Sequence, residues 1–336
     1  MERVRILVIR FSAMGDVAMV ASVLQEFQQQ NPRCEILVLT KSQFHSFFDK
    51  IPNVHFFSIS PQKKHRGLIG LWRLFRELKK LNITYVADLH NNIRSLILGF
   101  FFKITGHQVK TIDKGRKEKR QLVKYKVLTP LKHTVERYAD VFRNLNFNLH
   151  LTHTLKKSQN QLPQSIPSIL NEKKIKIGIA PFAQHQYKVW CLKNWEFIFK
   201  EPSFNNYQFI IFGGGEKEKK IADLWVDNHN NVYNSIGEFN LQEELDLISH
   251  LNLMISMDSS GMHMASLVGT RCFSIWGTTH PSAGFLGYGQ SIDDCIQVEH
   301  PQRPNSIYGN KPCDCDGTEA INLVPPTTVI DRIKAM

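Results

Sequence analysis

Neither of the two common nucleotide loops is present in this 336-residue chain. No G-x-G-x-x-G follows its first apolar run, and no G-x-x-x-x-G-K-[ST] occurs anywhere. A dehydrogenase and a P-loop NTPase thereby lose their main support. Cysteine is scarce: six residues in so long a chain are too few for a disulfide scaffold. No basic, then apolar, then small-residue leader opens the sequence, so the cytoplasm is the expected compartment. No run approaches the roughly 18 to 20 apolar residues of a membrane span. The best stretch, SLILGFFFKITG at 95–106, is short and interrupted by Lys103, and reads as a buried helix, with contact at a membrane interface as the alternative. Nineteen Gly and 14 Pro exclude collagen-like or low-complexity material. Acid is in deficit, with 30 Asp and Glu against 42 Lys and Arg. The resulting charge of +12 favours anionic partners without choosing among phosphates, nucleic acid and an acidic membrane surface.

What is present is an alternation of short Val- and Ile-rich runs with stretches apolar at helical spacing. Residues 4–10 read as a strand, followed by a Gly-containing turn and a helix that lasts until Pro32. Strands at 34–40 and 54–60 follow, with a helical stretch at 42–49 between them, then a helix from Gly67 and a strand at 83–90. Such a series predicts parallel strands with right-handed crossovers. A Ser, Gln, Asn and Pro-containing stretch at 156–174 has the composition of a linker. The wound pattern restarts at 175–181 and continues through strands at 207–215, 251–257 and 271–277. The expected architecture is two doubly wound α/β domains, 1–160 and 175–325, joined by a linker at 161–174. Residues 326–336 are expected as a helix that packs back on one of them.

In wound sheets, ligands gather at the carboxyl ends of the strands, where helix N-termini present their amides. Four strand-to-helix turns there carry suggestive residues. The first, RFSAMGDVAMV at 10–20, sets Gly15 and Asp16 at the start of a helix, where Asp16 reads either as a helix-start acid or as a functional carboxylate. The second ends in Gly213, Gly214 and Gly215 before Glu216 and Glu218, which suit ribose hydroxyls or simply begin a helix. In the third, Asp258, Ser259 and Ser260 precede a helix whose amides suit a diphosphate, with His263 one turn in and Thr278 on the next loop. The fourth holds Lys188, either a surface lysine or a cation that offsets charge on a leaving group.

The segment MISMDSSGMHMASLVGTRCFSIWGTTHP resembles the C-terminal signature of glycosyltransferase family 9, the ADP-heptose:lipopolysaccharide heptosyltransferases. ILVIRFSAMGDVAMV resembles the family's first strand and loop, and VADLHNNIRS, HTVERYADVF and WCLKNWEFI fit between them in order. The resemblance implies a GT-B fold: two Rossmann-like domains facing across a cleft, the first for the acceptor and the second for the nucleotide-sugar. It implies an inverting transfer of heptose, or a similar sugar, from an ADP-sugar to a lipopolysaccharide inner-core acceptor. Asp16 stands where the family has its base, and Lys188 at its phosphate-contacting lysine. Asp258, Ser259, Ser260, Gly261 and His263 match its donor-phosphate loop, Glu216 or Glu218 its ribose contact, and Phe239 its adenine contact. The family often has Thr-Gly where this chain has Ser259-Ser260, with Gly261 one place later.

The run KGRKEKRQLVKYK at 114–126, with Lys117 and Arg120, becomes a docking surface for a lipid-linked anionic glycan on this reading, at the inner face of the cytoplasmic membrane. Ser12, His65, Arg66, Arg94, His133 and Arg137 are expected to add to the acceptor side. Nucleic acid also suits the charge, yet no recognition helix, ribonucleoprotein motif or finger is visible. Cys295, Cys313 and Cys315 lack paired C-x-x-C spacing, so free thiols are expected rather than a metal site. No cofactor beyond the donor is expected. The rival readings are another nucleotide-sugar or surface-glycan acceptor, and a non-catalytic sugar-nucleotide-binding protein.

Overall fold

The computed structural model describes residues 4–60, 62–158, 160–162, 167 and 173–336. Most of the expected linker at 161–174 therefore lies outside the described residues. The chain forms two compact units, one of residues 1–114 and 134–152, the other of 115–133 and 153–336.

The first unit is a five-stranded parallel sheet built from β1 (Arg5–Ile9), β2 (Glu35–Thr40), β3 (Val54–Ser58), β4 (Tyr85–Asp88) and β5 (Gln108–Thr111). Its spatial order is β3-β2-β1-β4-β5. β1 and β2 are almost wholly buried, which is why RILVI and EILVLT read as unbroken apolar runs: a parallel strand is covered on both faces. The covering helices are α1 (Met14–Gln30), α2 (Gly67–Lys79) and α3 (Ile93–Ile104), with the later helix of 134–143 on α1. The expected helix at 42–49 is a six-residue 3₁₀ turn, Ser42–Phe47, that buries Phe44 and Phe47. α3 starts in a reciprocal cap. Ser95 N–H donates to Asn92 Oδ1 at 2.9 Å and Asn92 N–H to Ser95 Oγ at 3.0 Å. The expectation that 95–106 is a buried helix is only half correct. Leu98 and Phe102 are buried, but Leu96, Phe100 and Ile104 are 47%, 59% and 60% exposed.

The segment 115–133 does not belong with the first unit, contrary to a domain running over 1–160. It opens with α4 (Arg116–Tyr125), and its contacts lie in the second unit. The Lys119 ammonium sits 4.0 Å from the centre of the Phe285 ring, Leu131 N–H donates to Ser282 O, and Lys126 Nζ donates to Pro304 O. The chain then returns to the first unit as α5 (Thr134–Arg143) and rejoins the second at His153, ahead of the expected linker. His153 N–H donates to the Tyr288 hydroxyl, and Ser158 N–H to Val268 O.

The second unit repeats the winding with β6 (Ile175–Ala180), β7 (Tyr207–Ile211), β8 (Val232–Asn234), β9 (Leu253–Met257), β10 (Cys272–Ile275) and β11 (Cys295–Ile296). They lie in the order β11-β10-β9-β6-β7-β8, all parallel. Between them run α6 (Lys193–Phe199), α7 (Glu216–Asn228), α8 (Leu241–Ser249) and α9 (Ser260–Leu267). The closing helix α10 (Pro326–Lys334) buries Val329, Ile330 and Ile333 in this unit's core, against α6. Both units thus have the wound, Rossmann-like form of the GT-B fold.

Candidate active site

In the first unit, β1 hands the chain to a turn at 10–13 and then to α1, whose first turn holds Asp16. The site of Asp16 is built around its charge. Arg10 Nη2 lies 2.5 Å from Asp16 Oδ2, the Tyr138 hydroxyl donates to Oδ1 at 3.1 Å, and Ala13 N–H reaches Oδ2 at 3.3 Å. Arg10 is 6% exposed and also donates to Leu89 O at 2.8 Å. Burial works against its charge, but Tyr138 and Asp16 outweigh burial and hold the guanidinium more firmly protonated than usual. A carboxylate with a buried cation on one oxygen and a phenol on the other is fixed in direction. Arg10 and Tyr138 both lie in stretches singled out by sequence, but neither stood out as a site residue. Only the fold brings α5 to the start of α1.

Next to this turn is a cavity of about 520 Å³ within the first unit. Phe11, Ser12, Lys41, Lys63, His90 and Arg94 are among the residues that line it. Lys41, Lys63 and Arg94 give it a lining suited to an anionic group, and of the residues expected on the acceptor side Ser12 and Arg94 are part of that lining. Lys41, Lys63 and His90 went unnoticed, because they sit at the ends of three different strands. The His90 ring lies 5.2 Å from that of Phe11, tilted by 47° to it. Burial, then Arg10 and Lys114, push its imidazole down to about 3, so it is neutral at ordinary pH. Asp88 anchors the same loop, accepting N–H bonds from His90 and Asn91 and the Ser95 hydroxyl, all at 2.9 Å. Burial pushes its carboxyl up, against the pull of those bonds.

The other expected acceptor residues lie elsewhere. His65 is buried, accepts Ser60 N–H at 3.0 Å and faces Glu77 at 3.5 Å, so it holds the turn before α2 rather than a ligand. Arg137 is 4% exposed and turned to Asp113. Arg66 is exposed at the start of α2 and does not line the cavity. Lys117 and Arg120 are exposed on α4, and His133 Nε2 donates to Leu286 O at 2.7 Å. All three are in the second unit.

In the second unit, Lys188 Nζ and Asp258 Oδ2 form a 2.9 Å pair, with side chains 16% and 8% exposed. The stem of Lys188 lies against Gly309, at φ +77°. A Cβ there would come within 2.1 Å of Lys188 Cδ. Asp258 is therefore placed to orient the lysine; as a carboxylate it would repel a diphosphate. Ser259 is the N-cap residue of α9, with Ser260 opening the helix, so the unpaired amides of that end lie beside the ion pair. Gly261 also serves packing, since a Cβ would fall 2.5 Å from that of Ala180 on β6. His263 is likewise buried. Thr278 is fully buried and its hydroxyl donates to Lys311 O at 2.9 Å, so it braces the loop carrying Gly309 and has nothing to offer a donor. Glu218 accepts Gly214 N–H at 2.8 Å, which ties it to the glycine turn, while Glu216 is exposed. Phe239 is half-buried just before α8. Cys313 and Cys315 are buried with their sulfurs 4.0 Å apart, and burial pushes the Cys313 thiol up to about 12.

The profile of glycosyltransferase family 9 (heptosyltransferase) matches residues 71–308. Lipooligosaccharide heptosyltransferase 2 of Haemophilus influenzae is 25% identical over 298 residues, covering 82% of this chain and 84% of that one. A solved family 9 glycosyltransferase from Veillonella parvula superposes with a TM-score of 0.72 at 16% identity, over 100% of this chain and 97% of its own. The ADP-heptose lps heptosyltransferase II of E. coli gives 0.70 at 18% identity, over 98% of both chains.

Proposed function

The chain belongs to glycosyltransferase family 9, and from that premise we propose that it transfers heptose, with inversion, from ADP-heptose to an anionic acceptor of the lipopolysaccharide inner core. The observation that carries this reading is Asp16, a carboxylate fixed by Arg10 and Tyr138 beside a cavity walled by Lys41, Lys63 and Arg94. The cations take the acid groups of the acceptor. Asp16 accepts the proton of the attacking hydroxyl as its oxygen bonds to the anomeric carbon and the bond from that carbon to the ADP oxygen breaks. Attack from the face opposite ADP inverts the centre.

On the second unit, Lys188 and the amides at the start of α9, with Ser259 and Ser260, take the diphosphate and the charge it gains on leaving. Asp258 is a positioning residue acting through Lys188. Glu216 takes the ribose, as Glu218 is engaged with Gly214, and Phe239 packs on adenine. The lysine and the amides supply the charge stabilisation, so the reading needs no metal or other cofactor, and it places the enzyme in the cytoplasm where ADP-sugars are made available.

The test is to incubate the purified chain with ADP-heptose and a heptose-free core acceptor, following ADP release and the anomeric configuration of the product. ADP release with an inverted linkage is expected. ADP binding without turnover would leave a sugar-nucleotide-binding protein, and turnover only with another nucleotide-sugar would overturn the donor assignment.

A further inference from the structure

Among the described residues, sixteen large apolar side chains are strongly exposed, and seven of them lie on α2 and α3. Leu68, Ile69 and Trp72 line one helix, and Ile93, Leu96, Phe100 and Ile104 recur along one face of the other at the spacing of a single stripe. The stripes join. Trp72 meets Phe101 edge-on at 5.2 Å, and Phe101 is 6.3 Å from Phe100. This is a contiguous apolar surface, and it lies on a strongly basic background. Residues 63–104 carry nine Lys and Arg against two acids, of which Asp88 is buried and Glu77 is paired with Lys64 at 2.8 Å. Arg73, Arg76 and Lys79 continue the α2 face one and two turns beyond Ile69 and Trp72, all exposed.

We infer that the α2–α3 face docks on an anionic phospholipid surface, with the apolar stripe in the headgroup–acyl boundary and the surrounding cations on lipid phosphates. Apolar area with a cationic rim is the chemistry of interfacial helices, each Lys or Arg near an anionic leaflet adding attraction that salt removes. Neither helix could span, since no helix among the described residues is long and apolar enough to cross a membrane. The face also borders the acceptor cavity through α3. Arg94, in the first turn of that helix, lines the cavity and is next in the chain to the exposed Ile93. A lipid-borne acceptor would therefore meet its site from the docked side. The placement deepens the proposed function, but its evidence is separate.

The experiment is flotation of the full chain with vesicles of phosphatidylethanolamine and phosphatidylglycerol, against vesicles of phosphatidylcholine, at low and high salt. Wild type is expected to float with the anionic vesicles and to release as salt rises. The variant Ile69→Glu, Ile93→Glu, Phe100→Glu changes only exposed positions and should lose at least tenfold in partitioning, with an unchanged melting temperature and unchanged turnover of a water-soluble, deacylated acceptor. Arg73→Gln with Arg76→Gln and Lys79→Gln should abolish the preference for anionic vesicles. Wild type that stays in the aqueous fraction, or a triple Glu variant that floats like wild type, overturns the inference. So does a wild-type dimer that the Glu variant dissolves, since a second copy would then cover the face. Patch-dependent flotation without turnover of the soluble acceptor would sink the transfer reading and leave the docking face standing.

Discussion

Replacing Asp16 by Asn keeps the shape of the side chain and removes both its charge and its ability to take a proton. Loss of a general base costs about 10²–10⁴ in rate, or roughly 3–5 kcal/mol of transition-state stabilisation. The fold should feel the change as well, because Arg10, 6% exposed, would face an amide where it now has a carboxylate at 2.5 Å. Breaking a fully buried pair costs about 3–5 kcal/mol. The Asp16 side chain is 26% exposed and Arg10 keeps its bond to Leu89 O, which brings the expectation down to about 1–3 kcal/mol, several degrees in melting temperature. The two effects separate in Asp16→Asn/Arg10→Met, which also removes the stranded cation. Part of the lost melting temperature should return, limited by the abandoned Leu89 carbonyl, while the rate stays at the level of the single variant. Thermal denaturation and single-turnover ADP release read the two quantities independently. Full turnover by Asp16→Asn, or a rate that recovers with stability in the double variant, would refute the assignment of Asp16 as base.

Gly309→Ala should raise the donor KM at least tenfold in steady-state kinetics, because its Cβ would displace Lys188 and the backbone there is already at φ +77°; an unchanged KM would show that Lys188 does not meet the donor. His90 should make the protein less stable as pH falls. Its native pKa of about 3 lies below the free imidazole's 6.5, so between those values the unfolded chain binds a proton that the native chain refuses. At pH 5.5 the loss is about 1.4 kcal/mol, and the raised carboxyl of Asp88, common to both proteins, works the other way. His90→Gln should flatten the fall of melting temperature between pH 6.5 and 5.5, and an equal slope in both proteins would count against the buried neutral imidazole. Arg303→Ala should lower the melting temperature of the second unit by several degrees. The buried guanidinium donates to the carbonyls of Gly277, Val298 and Thr279, and a buried acceptor left without its donor costs about 1–3 kcal/mol.

The winding was legible because parallel strands covered on both faces read as continuous apolar runs, and because each run ends in a polar turn that starts a helix. The same logic singled out Asp16, Lys188 and Asp258, since they sit at those turns. It could not find the pairing of Lys188 with Asp258, 70 residues apart, or the seat of Asp16 between Arg10 and Tyr138. Long-range partners leave no local periodicity. At other singled-out turns, the structure shows a polar or small residue engaged by the fold itself. Gly261 lets α9 approach Ala180, Thr278 ties down the loop at Lys311, and His65 closes the turn before α2. The basic run at 114–126 follows the first unit's last strand in the chain, but Lys119 and Lys126 find their partners at Phe285 and Pro304. Proximity in sequence was a poor guide there.

The charge of +12 also divides, once the fold is known, into parts that respond differently to salt. Arg10, Lys119, Arg137 and Arg303 are buried and serve the fold. Lys41, Lys63 and Arg94 line one cavity, where on the proposed reading they would touch the ligand directly, and charges in direct contact are screened less than charges acting across a Debye length of water. Arg73, Arg76 and Lys79 lie open on α2 and act through water, where the Debye length is about 8 Å at physiological ionic strength. Rising salt should therefore strip the protein from anionic vesicles before it raises the KM for a soluble acceptor. If vesicle binding and affinity for the soluble acceptor fell together along one salt curve, a single diffuse basic field would explain them better than a cavity and a docking face.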